Sequence, residues 1–120
     1  MFSIGELSKL TLLTVKTLRF YHEEGLLIPA FVDPDTGYRY YDQRHIETAR
    51  AITYLRSLEF PLSEIKELLR SQGDEDLLKS LERQQSSVKE RMKQLRKAAV
   101  SLERFISEDK ESQSHDASDG

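Results

Sequence analysis

The stretch Thr14-Val-Lys-Thr-Leu-Arg-Phe-Tyr-His-Glu-Glu-Gly25 decides how the rest of the chain is read. The Thr14 side-chain oxygen can accept from the free amides of a first helical turn, and Gly25 can take the positive φ that follows a last one. At 100° per residue, Val15, Leu18 and His22 share one face, while Lys16, Thr17 and Phe20 share the opposite one. Arg19 and Tyr21 fall on the flanks. One side can therefore pack, and the other offers a cation, a hydroxyl and an aromatic ring, chemistry suited to phosphates, base edges and thymine methyl groups. Taken alone, the same pattern also describes an ordinary amphipathic surface helix; the flanking sequence decides between the two.

Upstream, Ser3-Ile4-Gly5-Glu6 has capping-box spacing, which predicts a short first helix over about Ile4 to Lys9. Leu10-Thr11-Leu12-Leu13 then turns the chain into the second helix, giving a helix-turn-helix in which the first helix braces and the second reads. Downstream, Leu26-Leu27-Ile28-Pro29 is an apolar stop, because Pro29 disfavours α conformation at Ile28. In Val32 to Tyr41, Pro34 fits the second position of a type I turn and Gly37 the left-handed residue after it, predicting a β-hairpin wing. Alternation puts Tyr38 and Tyr40 on one face and Arg39 with Tyr41 on the other. The tyrosines are equally readable as core cover.

Asp42 can cap a third helix to about Leu58, with Ile46, Ala49, Ile52 and Leu55 repeating along it. Phe60-Pro61-Leu62-Ser63-Glu64 breaks it and starts a fourth helix, which carries Leu62, Ile65, Leu68 and Leu69 to Ser71. Arg56, just before this second turn, can hold a phosphate or simply be a solvated arginine. From Glu75 to Ser107 a heptad pattern appears: Leu78, Gln85, Met92, Ala99 and Ile106 occupy one seam position, and Leu81, Val88, Leu95 and Leu102 the other. So narrow a stripe needs a partner, and homodimerisation accounts for it better than folding back on a domain this small. A parallel in-register pair would set Arg91 against Arg96 of the partner, which weighs against that orientation. Residues 108–120 have Ala117 as their one apolar side chain, and the sequence predicts a disordered polar tail there.

Composition bounds the function. The 120 residues carry 18 basic and 21 acidic side chains, a net charge of −3. Split after Gly73, the first part has 9 basic against 10 acidic residues and the second 9 against 11. Neither part is basic, so an electrostatic footprint for nucleic acid must be local: Lys16 to His22 contains no acid, and tyrosines surround Arg39. With no cysteine, disulfides, thiolate nucleophiles and cysteine-ligated metals are excluded. His22, His45 and His115 are scattered over three elements without metal-ligand spacing or a nucleophile beside a base, which argues against an enzyme and implies no cofactor. No apolar run reaches the roughly 18 residues of a membrane span, and no signal-peptide pattern follows Met1, so a cytoplasmic location is expected.

With these parts in place, the sequence resembles the MerR family of transcriptional regulators from Ser3 to about Ile106. The residues that carry the resemblance are Ile4-Gly5-Glu6-Leu7-Ser8, Thr17-Leu18-Arg19-Phe20-Tyr21, Gly25-Leu26-Leu27-Ile28-Pro29, Gly37-Tyr38-Arg39-Tyr40-Tyr41 and Phe60 to Leu69. Asp33 to Tyr41 looks most like the branch that responds to drugs or other organic cations. The resemblance implies a mainly α chain: a winged helix-turn-helix domain over residues 1–73, then a dimerisation helix over 74–107 forming an antiparallel coiled coil. It makes Lys16, Thr17, Arg19 and Tyr21 recognition-helix contacts and Tyr38, Arg39 and Tyr40 wing contacts, and Phe20 joins them because it lies on the exposed arc. Arg56 would anchor a phosphate, with the Leu62 and Ser63 amides offered at a helix N-terminus. The implied function is a homodimer on a pseudo-palindromic promoter operator that bends and untwists DNA, acting on RNA polymerase through the DNA. Departures from the family are the missing cysteines of its metal-sensing and redox-sensing members and the missing ligand-binding domain of its drug-sensing members. The effector is therefore left open, and the chain reads either as a short regulator or as the DNA-binding part of a longer one. The competing readings are an excisionase-like architectural protein, which would not need so long a coil, and a coiled-coil adaptor, which would not need the wing.

Overall fold

The computed structural model describes residues 1–71 and 73–119, with residues 114–119 described by their backbone alone. Along the chain run β1 (Phe2–Ser3), α1 (Ile4–Thr11), α2 (Val15–Glu23), β2 (Phe31–Val32), β3 (Arg39–Tyr41), α3 (Gln43–Ser57), α4 (Leu62–Arg70) and α5 (Asp74–Asp119). They form two compact units, Met1–Leu77 and Leu78–Gly120.

In the first unit, local chemistry sets the helix ends. Ser3 caps α1 with a full capping box: its hydroxyl accepts from the Glu6 amide and the Glu6 carboxylate accepts from the Ser3 amide, both at 3.1 Å. That second bond holds the Glu6 carboxyl below the ordinary carboxylate value. Thr14 caps α2 by accepting from the Thr17 amide at 3.0 Å. α2 ends in a Schellman motif, with Leu26 N–H donating to Tyr21 C=O at 2.8 Å and Gly25 N–H to His22 C=O at 3.0 Å. Gly25 has φ of +73° there, the left-handed conformation in which a Cβ is strained. α3 ends the same way, with Phe60 N–H on Leu55 C=O and Glu59 N–H on Arg56 C=O. Its left-handed residue, however, is Glu59, at φ +67°. Asp42 caps α3 by accepting from the Arg44 amide, and the His45 ring closes a second capping box. The Arg44 side chain on Asp42 holds that carboxyl down at about 2. Because the folded value is depressed, the cap stabilises the fold above the ordinary carboxylate range and is lost only as pH falls through about 2.

The core gathers one face of each helix: Leu7 from α1, Leu18 from α2, Ile46, Ala49 and Ile52 from α3, Ile65 from α4, with Leu27, Tyr41 and Phe60 from the connections and β3. The wing is a three-stranded antiparallel sheet in the order β1-β3-β2, with Phe2 opposite Tyr41, and Phe31 opposite Tyr40. Sequence patterning predicts the β2–β3 hairpin and the left-handed Gly37, which has φ +75°. It does not predict β1, whose two residues are too short to show alternation. That strand closes the wing onto the start of α1.

α5, which begins at Asp74 and supplies the second unit, is 46 residues long, about 69 Å at 1.5 Å per residue. The helix thus runs past Ser107, into the stretch from Glu108 onward where the sequence predicts a polar tail. Nothing between Glu108 and Asp119 is proline or glycine, so no helix breaker interrupts this stretch. Gly120 and the side chains of residues 114–119, His115 among them, lie outside the described residues, as does Gln72. The stripe itself stops at Ile106 as expected, and its members Leu78, Met92, Leu95, Leu102 and Ile106 are all exposed, Leu95 at 67%. Ala99 is exposed with them, while Leu81 and Val88 are half-buried.

Candidate nucleic-acid interface

Three elements build the candidate surface: α2, the wing and the turn into α4. On α2, burial of Leu18 turns the opposite arc outward, so Lys16 and Arg19 are exposed and Phe20 is 42% exposed. Thr17 is half-buried, and its hydroxyl accepts from that of Thr14 at 2.8 Å. Tyr21 corrects the sequence-based assignment. It is 6% exposed and belongs to the core rather than to an open flank. Tyr21 sits three residues after Leu18 on the same stripe, and its carbonyl accepts the Schellman bond from buried Leu26. Little of its surface is left for a ligand.

On the wing the alternation holds. Tyr38 is exposed and Tyr40 half-buried, stacked on Phe31 with ring centroids 6.1 Å apart. On the other face Tyr41 is buried, and its hydroxyl has no hydrogen-bond partner among the described residues; burial pushes its pKa up. Arg39, on Tyr41's face, reaches back to α2 and donates from Nε to His22 Nδ1 at 2.9 Å. His22 is thus half-buried and tied to the wing, a role that its place on a packing arc does not announce. The available signal was the strand alternation, which turns Arg39 toward the helices. A cleft of about 220 Å³ opens between these parts, lined by Ser3, Ile4, Arg19 and the wing residues Gly37 to Tyr40. Two arginines from separate elements, Arg19 of α2 and Arg39 of the wing, therefore line one concavity.

At the second turn, Arg56 is exposed in the last turn of α3. α4 differs from the other helices of this unit at its start: its N-cap is Pro61, with no side-chain hydrogen bond. The first intrahelical donors are Glu64 and Ile65, both to Pro61 C=O, and among the described residues the Leu62 and Ser63 amides have no backbone acceptor. Such amides, at the positive end of a helix dipole, suit an anion. His45 is occupied elsewhere. Its Nδ1 accepts from the Asp42 amide at 3.0 Å, so Nε2 carries the proton and donates to Ile28 C=O at 2.6 Å. Among the described residues there is no cluster of potential metal ligands and no helix long and apolar enough to cross a membrane.

Comparison with known proteins places this geometry among relatives. Residues 2–72 match the family described as MerR HTH family regulatory protein. The multidrug-efflux transporter 1 regulator of Bacillus subtilis (strain 168) is 34% identical over 126 residues, covering 92% of this chain and 45% of the relative. Transcriptional regulator BrlR of Pseudomonas aeruginosa is 35% identical over 109 residues, covering 88% of this chain and 40% of BrlR. This chain thus spans less than half the length of either. Among solved structures, EcmrR in its DNA complex, determined by cryo-electron microscopy within EcmrR-RPo, superimposes with a TM-score of 0.81 at 30% identity, covering 92% of this chain and 40% of that one.

Proposed function

This chain belongs to the MerR family of helix-turn-helix regulatory proteins, and from that premise we propose that it binds promoter DNA sequence-specifically as a homodimer and controls transcription by bending and untwisting the duplex. The observation that carries the reading is the joint exposure of Lys16, Arg19 and Phe20 on α2 beside a wing that offers Tyr38 and Arg39 to the same cleft. α2 is the element that enters the major groove, with Thr17 at its first turn. Tyr38, Arg39 and Tyr40 of the wing meet the flanking backbone, and Arg56 with the Leu62 and Ser63 amides holds a further phosphate. Tyr21, 6% exposed, contributes little surface. Residues 1–73 form the DNA-binding head, and 74–107 supply the dimerisation helix. Its seam from Leu78 to Ile106 spans about 42 Å, and a second copy running antiparallel would cover it. RNA polymerase is then reached through the altered DNA rather than by direct contact.

Lys16→Ala and Arg39→Ala test the reading on the promoter of the protein's own gene. Each is expected to weaken operator binding about tenfold and to lower the salt slope of log K by about one. Helix content by circular dichroism should not change. Full operator affinity in both variants would remove the contact assignment. An architectural DNA-bending role would instead show as loss of protection under competitor DNA, because its specificity ratio is small.

A further inference from the structure

The wing arginine does not stand alone. Arg39 Nε donates to His22 Nδ1 at 2.9 Å, joining the second wing strand to the last turn of α2 across a sequence separation of 17 residues. We propose that His22 is a positioning residue that fixes the Arg39 guanidinium beside Arg19, so that helix and wing clamp one DNA phosphate between them. This rests on the DNA-binding reading given above.

Three observations support the clamp. First, Arg19 of α2 and Arg39 of the wing line the same cleft. Two like charges brought together in a concavity repel unless something holds them, and an anion between them relieves that repulsion. Second, among the described residues the tether uses Nε alone. A guanidinium has five N–H donors in a fixed plane, so anchoring Nε orients that plane and leaves both terminal amino groups to face a phosphate. Third, the acceptor is neutral. A guanidinium has no lone pair to offer, so Nδ1 must be the unprotonated nitrogen and the ring proton sits on Nε2. A carboxylate in this place would hold the arginine as firmly but would cancel the charge that the phosphate needs. An imidazole holds the group and leaves its charge unspent.

Substitutions at residue 22 separate holding from charge. Asn presents an oxygen near the Nδ1 position and remains neutral, Glu presents an acceptor with negative charge, and Ala presents none. The expected operator affinities are within about twofold of wild type for His22→Asn and about fivefold weaker for His22→Ala, with no further loss when His22→Ala is added to Arg39→Ala. His22→Glu is expected to weaken binding and to lower the salt slope by about one, the signature of a phosphate contact neutralised. The tether is also read without DNA, from hydrogen exchange at Arg39 Nε–H. That exchange should be slow in wild type and in His22→Asn, and fast in His22→Ala.

Losses from His22→Ala and Arg39→Ala that multiply, or exchange indifferent to His22→Ala, would overturn the inference while leaving DNA binding intact. A chain that binds no operator while the exchange pattern persists would overturn the DNA reading and the clamp together, leaving only a structural tether.

Discussion

The first unit contains two helix-turn-helix pairs, α1 with α2 and α3 with α4, and they are finished differently. In the first pair the second helix is capped by Thr14, and its exposed arc carries Lys16, Arg19 and Phe20. In the second pair the second helix opens on Pro61 with no side-chain cap, and its exposed asset is backbone: the Leu62 and Ser63 amides. Side chains differ from residue to residue and can discriminate bases, whereas amides are the same everywhere and can only locate a phosphate. On the proposed DNA-binding reading, α2 would read bases and α4 would position the backbone.

The largest effect tests whether the two pairs share one core. Leu18 and Ile65 are both fully buried. Leu18→Ala and Ile65→Ala are each expected to destabilise the fold by about 2–5 kcal/mol, within a single denaturant transition. Two separate transitions would show that the pairs fold independently and that the contrast concerns two modules rather than one.

Sharper still is an exchange of caps. Thr14→Ala removes the cap of the reading helix and is expected to cost about 1 kcal/mol in chemical denaturation. Pro61→Asp adds a cap where none exists and sets a negative charge where a phosphate would sit. Stability should rise by several tenths of a kcal/mol to about 1 kcal/mol while operator affinity falls for every sequence alike. A gain in stability with no loss of affinity would mean that the open end of α4 meets no phosphate.

The smallest effect compares the Schellman ends of α2 and α3. One uses Gly25 and the other Glu59, both at positive φ. Gly25→Ala should lose about 1 kcal/mol, and Glu59→Gly should gain somewhat less than about 1 kcal/mol, because glycine also costs entropy in the unfolded chain. Leu12, also left-handed and 91% exposed, should respond to glycine as Glu59 does. Differential scanning calorimetry resolves all three, and a Gly25→Ala variant as stable as wild type would refute the role given to that glycine.

Features governed by neighbours in sequence were legible without coordinates. Ser3 with Glu6, Thr14, Gly25, Gly37, Asp42 and Pro61 each mark an end or turn where the structure has one, because caps and left-handed residues act within a few positions. The heptad stripe was legible too, since its period is its message. What was missed depends on partners distant in the chain. Tyr21 reads as a flank from helical geometry alone, but in the folded unit it is buried. β1 needed Tyr40 and Tyr41 to make it a strand. His22 looked like a core histidine, and its work came from an arginine brought up by the wing. The end of α5 is not legible in the same way: the apolar stripe ends at Ile106, while the helix runs on to Asp119.

Pairing through α5 on a two-fold operator is the claim on which the rest depends, and sedimentation equilibrium of the 120-residue chain, alone and with a duplex from its own promoter, tests it most directly. The account predicts a mass twice 13.9 kDa for the free protein and one such dimer added to each duplex. It also predicts that replacing both Val88 and Leu95 with Asp abolishes the doubling. A wild-type chain that sediments at 13.9 kDa, or binds the duplex one copy at a time without pairing, would contradict it.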